Sequence, residues 1–317
     1  MIMNLKDYFN SGIPILTDSG FETTLIFHHQ IDLPHFASFY LLDKPKYDDV
    51  INNYYKEHLD IAKQYNLGYI LESGTWRANK DWGFKLGYND SELIRINQLA
   101  IKQLKALKDE YSAYLPFILI SGQIGPGKDG YTITEVMSEV EAQNYHDLQI
   151  RAFKEAGADL ASALTMGYID EALGIVNSAK ANNFPIVISF TVETNGNLPS
   201  GESLKNAIET IDGLTNSFPL HYMVNCAHPT HFIDQLSDDG DWKSRIKGIR
   251  ANASCKSHEE LDEATELDRG DISDFGKWHT ILKEKLPNLT VYGGCCGTDV
   301  KHVAEICKNL SLSVESS

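Results

Sequence analysis

Short runs rich in β-branched and apolar residues recur along this chain at intervals that each leave room for one helix, and that spacing constrains its fold more than any other feature. We count eight runs, at 15–17, 69–72, 117–121, 160–164, 186–191, 222–226, 248–251 and 290–293. Segments with helical periodicity follow them, at 48–65, 91–111, 135–156, 169–182, 204–217, 231–235, 274–286 and 299–310. Strand and helix alternating in this way predict an α/β chain of the TIM type, a (β/α)8 barrel whose parallel strands close on themselves inside a ring of helices. Such a barrel takes about 250 residues or more. The 317 residues here are therefore expected to form a single domain, with the barrel over 1–310 and a short C-terminal tail over 311–317. Some element ends are legible: Thr298 is placed to cap the last helix with its hydroxyl, and Gly157 and Gly68 stand where a helix stops and a strand begins.

A parallel barrel gathers its βα loops around one mouth, and reacting groups come from the carboxyl ends of the strands there. Directly after the runs stand Asp18-Ser19-Gly20, Ser73-Gly74-Thr75-Trp76, Gln123-Ile124-Gly125-Pro126, Thr165-Met166, Glu193-Thr194-Asn195, Cys226-Ala227-His228, Asn252-Ala253-Ser254 and Gly294-Cys295-Cys296. The cysteines are the informative members. Neighbouring residues of an extended strand point to opposite faces, so Cys295 and Cys296 face one ion only where the chain leaves the sheet and turns. Gly293, Gly294 and Gly297 permit that turn, because glycine reaches backbone angles closed to other residues. Cys226, at the end of the sixth run, lies across the mouth and supplies a third sulfur. Zinc takes four ligands, and catalytic sites leave one position for water or substrate. The expected metal ligands are thus Cys226, Cys295 and Cys296, holding one Zn²⁺ per chain. A vicinal disulfide between Cys295 and Cys296 is a competing reading that requires a strained peptide in an oxidising setting. Cys307 sits among Val303, Ile306 and Leu310 at helical spacing and reads as core, while Cys255 follows the seventh run without an assigned partner. His228 and His231 read as helix-entry polarity, since three sulfurs already suffice.

Charge and composition narrow the partners. Asp and Glu number 44 against 28 Lys and Arg, and the net charge of −16 repels phosphate backbones and anionic membrane surfaces. Neither nucleic acid nor a membrane is expected. The apolar runs are strand-sized, and residues 1–9 lack the basic-then-apolar order of a secretory leader, so the cytoplasm is the expected location. Five cysteines, two of them adjacent, suit metal binding in a reducing compartment better than a disulfide framework. No Gly-x-Gly-x-x-Gly opens a helix after a strand, so a Rossmann-type adenosylmethionine site is not expected. Oligomeric state is not legible at this level.

The segments Thr17-Asp18-Ser19-Gly20-Phe21-Glu22-Thr23-Thr24-Leu25, Asn225-Cys226 and Gly293-Gly294-Cys295-Cys296-Gly297-Thr298 resemble the homocysteine S-methyltransferases. Ser121-Gly122-Gln123-Ile124-Gly125-Pro126 and Ala156-Gly157-Ala158-Asp159-Leu160 are similar to further segments of that family, in the family's order. The resemblance implies a barrel whose three cysteines bind zinc and whose zinc binds the homocysteine sulfur. It implies S-methylmethionine or S-adenosylmethionine as methyl donor, betaine or a methylated folate serving more distant relatives. It also implies that Asp18 contacts the amino group of the amino-acid substrate and that the backbone amides of Ser19 and Gly20 receive its carboxylate. The chain departs from the pattern at Leu164, where many members carry a glutamate that also holds the amine, and at Ser19, where glycine is more usual. Glu72 and Glu193, each at another strand end, are candidate replacements, because an ammonium taken from water needs a compensating anion.

These residues predict a reaction. A free alkyl thiol has a pKa of about 8.5, so little of it is thiolate at neutral pH, and coordination to zinc removes the proton. The sulfur then attacks a sulfonium methyl in line, and the protein's main task is to hold the reacting atoms in register. Trp76, Phe21 and Trp82 are nominated to face the donor's positive charge. Asn225 is placed to orient the metal site by hydrogen bonding. The expected activity is a zinc-dependent S-methyltransferase giving methionine or an analogue, with a thiol or selenol acceptor and a methylated sulfonium donor as its small-molecule partners. Two other functions compete. A zinc hydrolase on the same barrel is disfavoured, because three thiolates make zinc a poor Lewis acid for water and no His-x-His follows the first strand. A thiol-metabolite or zinc sensor would bind without turnover.

Overall fold

The computed structural model describes residues 4–311 apart from 134, 238, 239 and 265, so all but the first residue of the expected tail lies outside the described residues. Eight parallel strands close into a barrel in sequence order. They are β1 (Ile15–Leu16), β2 (Gly68–Glu72), β3 (Ile118–Ile124), β4 (Leu160–Met166), β5 (Ile186–Phe190), β6 (Tyr222–Asn225), β7 (Ile246–Ala251) and β8 (Val291–Gly294). The crossover helices are α1 (Asp48–Tyr65), α2 (Asp90–Tyr111), α3 (Glu139–Ala156), α4 (Ile169–Ala181), α5 (Leu204–Thr215), α6 (Pro229–Phe232), α7 (Ile272–Lys285) and α8 (Val300–Asn309). Strand β1 is short, yet Ile15 pairs with both Gly68 and Val291, and those pairings close the ring.

Every expected strand is present; the differences lie at element ends and in short helices outside the crossovers, such as Lys80–Lys85 and His258–Asp262. Helix α3 starts at Glu139, later than its periodicity implies, because Ser138 and Glu141 form a capping box there. The last helix is capped by Asp299, whose side chain accepts from the Lys301 amide; Thr298 instead donates its hydroxyl to the Cys295 carbonyl at 2.7 Å. Gly157 ends α3 in the left-handed conformation as expected, but before β2 that role falls to Asn66, and Gly68 is the first residue of the strand.

Alternation along the strands divides the core in two. Leu16, Tyr69, Leu71, Ile118 and Ile120 join the large cluster between sheet and helices, whereas Ile15, Ile70, Leu119, Leu160, Val187, Met223 and Val291 form a separate cluster inside the barrel. Two residues further along the same side of the strands, the interior turns polar: Glu72, Ser121, Ser162, Ser189, Asn225 and Arg250 are all buried. Ser162 donates to Glu72 at 2.9 Å and lies 2.8 Å from the Ser121 hydroxyl. An apolar plug beneath a polar layer leaves the carboxyl-terminal mouth as the place for chemistry. Among the described residues no helix is long and apolar enough to cross a membrane.

Candidate metal centre and active site

Cys226 follows β6, Cys295 and Cys296 follow β8, and the three sulfurs lie within 4.8 Å of one another. A tetrahedral zinc with Zn–S bonds of about 2.3 Å sets its sulfurs about 3.8 Å apart, so the three sulfurs are close enough to share a single ion once none of them is bonded to another. Among the described residues no other cluster of three His, Cys, Asp or Glu side chains meets so closely. The structure joins Cys226 to Cys295 as a disulfide, not the adjacent Cys295 and Cys296. The physical reason is the convergence itself: loops that aim three sulfurs at one point also bring two of them into bonding contact. Metal binding requires the reduced pair.

Backbone conformation aims these sulfurs. Cys226 has φ +54° and Thr165, opposite it at the end of β4, has φ +64°. A left-handed conformation costs roughly 1–2 kcal/mol outside glycine, so something must hold it. Asn225 does so for Thr165. Its Oδ1 accepts from the Thr165 amide at 2.9 Å and the Ser189 hydroxyl at 2.6 Å, and its Nδ2 donates to Thr165 Oγ1 at 2.8 Å. The Thr165 hydroxyl in turn points at Cys226 Sγ, 3.9 Å away. On the other side of the mouth, Gly297 turns the chain at φ +79°, and a Cβ there would meet the Asp268 carbonyl at 2.4 Å. Gly20 lets the loop after β1 lie against the cysteine turn, its absent Cβ 2.6 Å from the Cys295 carbonyl.

The sulfurs border an inner chamber whose walls also carry Asp18, Ser19, Gly20, Asn225, Trp76 and Arg250. Trp76, Phe36, Tyr131, Thr23 and Cys296 are shared with an outer cavity of about 390 Å³, so a second small molecule has room beside the metal centre. Asp18 is not a bare anion here. Its Oδ1 takes a 2.5 Å ion pair from Arg250 Nη2, and the Tyr54 hydroxyl lies 3.2 Å from its Oδ2. The Ser19 amide donates to Tyr54 Oη at 3.1 Å and the Gly20 amide to the Thr298 carbonyl at 3.3 Å.

Other nominated residues divide. Phe21 borders the inner chamber, packed on Tyr54 at 4.7 Å between ring centres. Trp82 lines neither space and stacks under Arg77 and Lys85 instead. Glu193 also lies outside both linings. Glu72 is buried in the layer below the chamber, and burial raises its pKa to about 7, against the opposing pull of Arg250. Leu164, by contrast, is in the chamber wall and presents an apolar side chain there. Glu22, which was not nominated, does line the chamber, with one oxygen taking the Ser38 hydroxyl at 2.6 Å. His228 caps α6 and His231 bonds the Cys255 carbonyl at 2.9 Å, both away from the sulfurs, as helix-entry residues should. Cys307 is fully buried in the core.

Arg250, Tyr54 and Glu22 are the residues that strand-end position does not nominate; Thr165 is placed at the mouth by it, without a role. Arg250 left a signal: it interrupts an otherwise apolar run expected to be a barrel strand, and a charge buried on a strand requires a partner. Tyr54 left none, because it comes from helix α1 and reaches the mouth only through the packing of that helix.

A family model described as homocysteine S-methyltransferase matches residues 15–310. Among solved structures, the chain is similar to the metallated form of the homocysteine methyltransferase MmuM from Escherichia coli, with 16% identity, a TM-score of 0.73, and 95% of this chain and 98% of that one covered. It is similar too to the oxidised form of that protein, with 16% identity, a TM-score of 0.75, and 96% and 99% covered. At that identity the likeness to these structures speaks for the fold alone. No curated protein matches the sequence.

Proposed function

The chain belongs to the homocysteine S-methyltransferase family, and from that premise we propose that this methyltransferase is zinc-dependent and moves a methyl group from a sulfonium donor, S-methylmethionine or S-adenosylmethionine, to homocysteine or a related thiol or selenol. One observation carries the reading: three cysteine sulfurs within 4.8 Å of one another border a chamber at the barrel mouth. Cys226, Cys295 and Cys296 would hold the ion. Zinc bound there supplies the charge that keeps an acceptor thiol deprotonated near neutral pH.

The chain's own groups do the rest. Asn225 and Thr165 fix the direction of Cys226, and Thr298 fixes the turn that carries Cys295 and Cys296. Trp76 stands between the inner and outer spaces, where its ring can face a sulfonium and keep donor and acceptor in line. The outer cavity is assigned to the donor, the inner chamber to the acceptor. Cysteinates of this kind persist under reducing conditions, and we place the protein in the cytoplasm.

The test is a screen of thiols against sulfonium donors with the reduced, zinc-loaded protein, alongside metal analysis. Methylated thiol is expected from the wild type, and Cys296→Ser is expected to lose both bound zinc and turnover. Turnover retained in Cys296→Ser refutes the scheme, and zinc-saturated protein that methylates no thiol points to a hydrolase or sensor.

A further inference from the structure

Arg250, a side chain 3% exposed, is part of the lining of the inner chamber, and its Nη1 has no hydrogen-bond partner among the described residues; Glu72, whose Oε2 is likewise unpartnered, is the second carboxylate after Asp18 whose charge acts on it. The other nitrogens of Arg250 are used, Nη2 on Asp18 at 2.5 Å and Nε on the Gly294 carbonyl at 3.2 Å, so the guanidinium plane is fixed. An unpaired N–H of a buried cation costs several times what an ordinary hydrogen bond contributes, and such a group is kept where a ligand completes it. The amides that the family resemblance assigns to the substrate carboxylate are already spent, Ser19 on Tyr54 and Gly20 on Thr298. The groups assigned to an ammonium are spent or absent as well: Asp18 is paired with Arg250, Leu164 is apolar, and Glu72 lies outside the chamber lining.

We propose that Arg250 is the specificity-determining residue for the acceptor, its Nη1 receiving a carboxylate carried by the thiol, and that the chamber selects acceptors by this anion with no requirement for an ammonium. The acceptor class is a mercaptocarboxylate. Homocysteine belongs to it by virtue of its carboxylate alone. The inference rests on the methyltransferase reading for the existence of an acceptor, but its binding test does not.

Three acceptors separate the contributions: homocysteine, 4-sulfanylbutanoate, which lacks the amine, and 3-aminopropane-1-thiol, which lacks the carboxylate. With the zinc-loaded wild type and S-methylmethionine or S-adenosylmethionine, kcat/KM for 4-sulfanylbutanoate is expected within about 10-fold of homocysteine. The aminothiol is expected to fall by at least about 100-fold, because a site built to bond a group rejects the analogue without it. A large loss with 4-sulfanylbutanoate overturns the proposal and assigns an ammonium to Glu22, the remaining carboxylate of the lining. An aminothiol as good as homocysteine overturns it too. Calorimetric titration of the methylated products, 4-(methylsulfanyl)butanoate and 3-(methylsulfanyl)propan-1-amine, into the reduced, metal-free protein reads the same preference without turnover. If no thiol is methylated while the carboxylate product still binds preferentially, the methyltransferase reading fails and the assignment of Arg250 stands. Since Arg250→Gln alone strands Asp18 and can unfold the chain, the double variant Asp18→Asn/Arg250→Gln removes both charges together. It is expected to abolish the preference for the carboxylate product, and a preference kept in that variant refutes the role of Arg250.

Discussion

Asn225→Ala tests whether the metal centre is built by hydrogen bonding from its neighbours. The side chain makes three buried hydrogen bonds, two to Thr165 and one to Ser189. Each is worth about 1 kcal/mol net, and the Thr165 amide left without an acceptor adds a desolvation cost of roughly 1–3 kcal/mol. Thr165 also holds φ +64°, which it keeps only while constrained. The expected loss of stability is therefore about 4–6 kcal/mol, read as a lower urea midpoint at unchanged slope in the reduced, metal-free protein. Because Thr165 faces Cys226, zinc affinity should fall as well, by about 10- to 100-fold in competition with a chromophoric chelator. Ser189→Ala is the control. It removes only one of the three bonds, so its cost should be about 1 kcal/mol with zinc affinity retained. If Asn225→Ala is no less stable than Ser189→Ala and binds zinc as tightly as the wild type, the reasoning fails.

Other outcomes are equally specific. Burial raises the Glu72 carboxyl to about 7, so the folded chain keeps a proton that the unfolded chain releases near 4.5. That contribution to stability is full below pH 4.5 and declines as pH rises through 7; Glu72→Gln should flatten the decline in urea midpoints taken across this window. Gly297→Ala places a Cβ 2.4 Å from the Asp268 carbonyl at φ +79°, and should cost more than about 1 kcal/mol and weaken zinc binding by displacing Cys296. Trp76→Leu keeps the apolar wall but removes the ring face, and should raise KM for a sulfonium donor about 3- to 30-fold while leaving KM for the thiol nearly unchanged; equal effects on both would place the donor elsewhere.

The sequence by itself determined the barrel and the three sulfurs. The spacing of eight apolar runs admits few topologies, and strand-end position is a local property that sequence order conveys, so Cys226, Cys295 and Cys296 could be placed at one mouth before any coordinates. What only the tertiary structure decided is which charges pair in the chamber. Asp18 and Arg250 are separated by most of the chain's length and become partners only when β1 and β7 meet the same interior, so no local pattern announces that the aspartate is already neutralised. The same holds for Tyr54, brought in by helix packing, and for the left-handed turn at Thr165, which a β-branched residue adopts only because Asn225 on a strand two places away holds it. Periodicity reports which face of an element is buried; the identity of the group across from it depends on closure of the ring, and that is where the pairing of Asp18 with Arg250 is set.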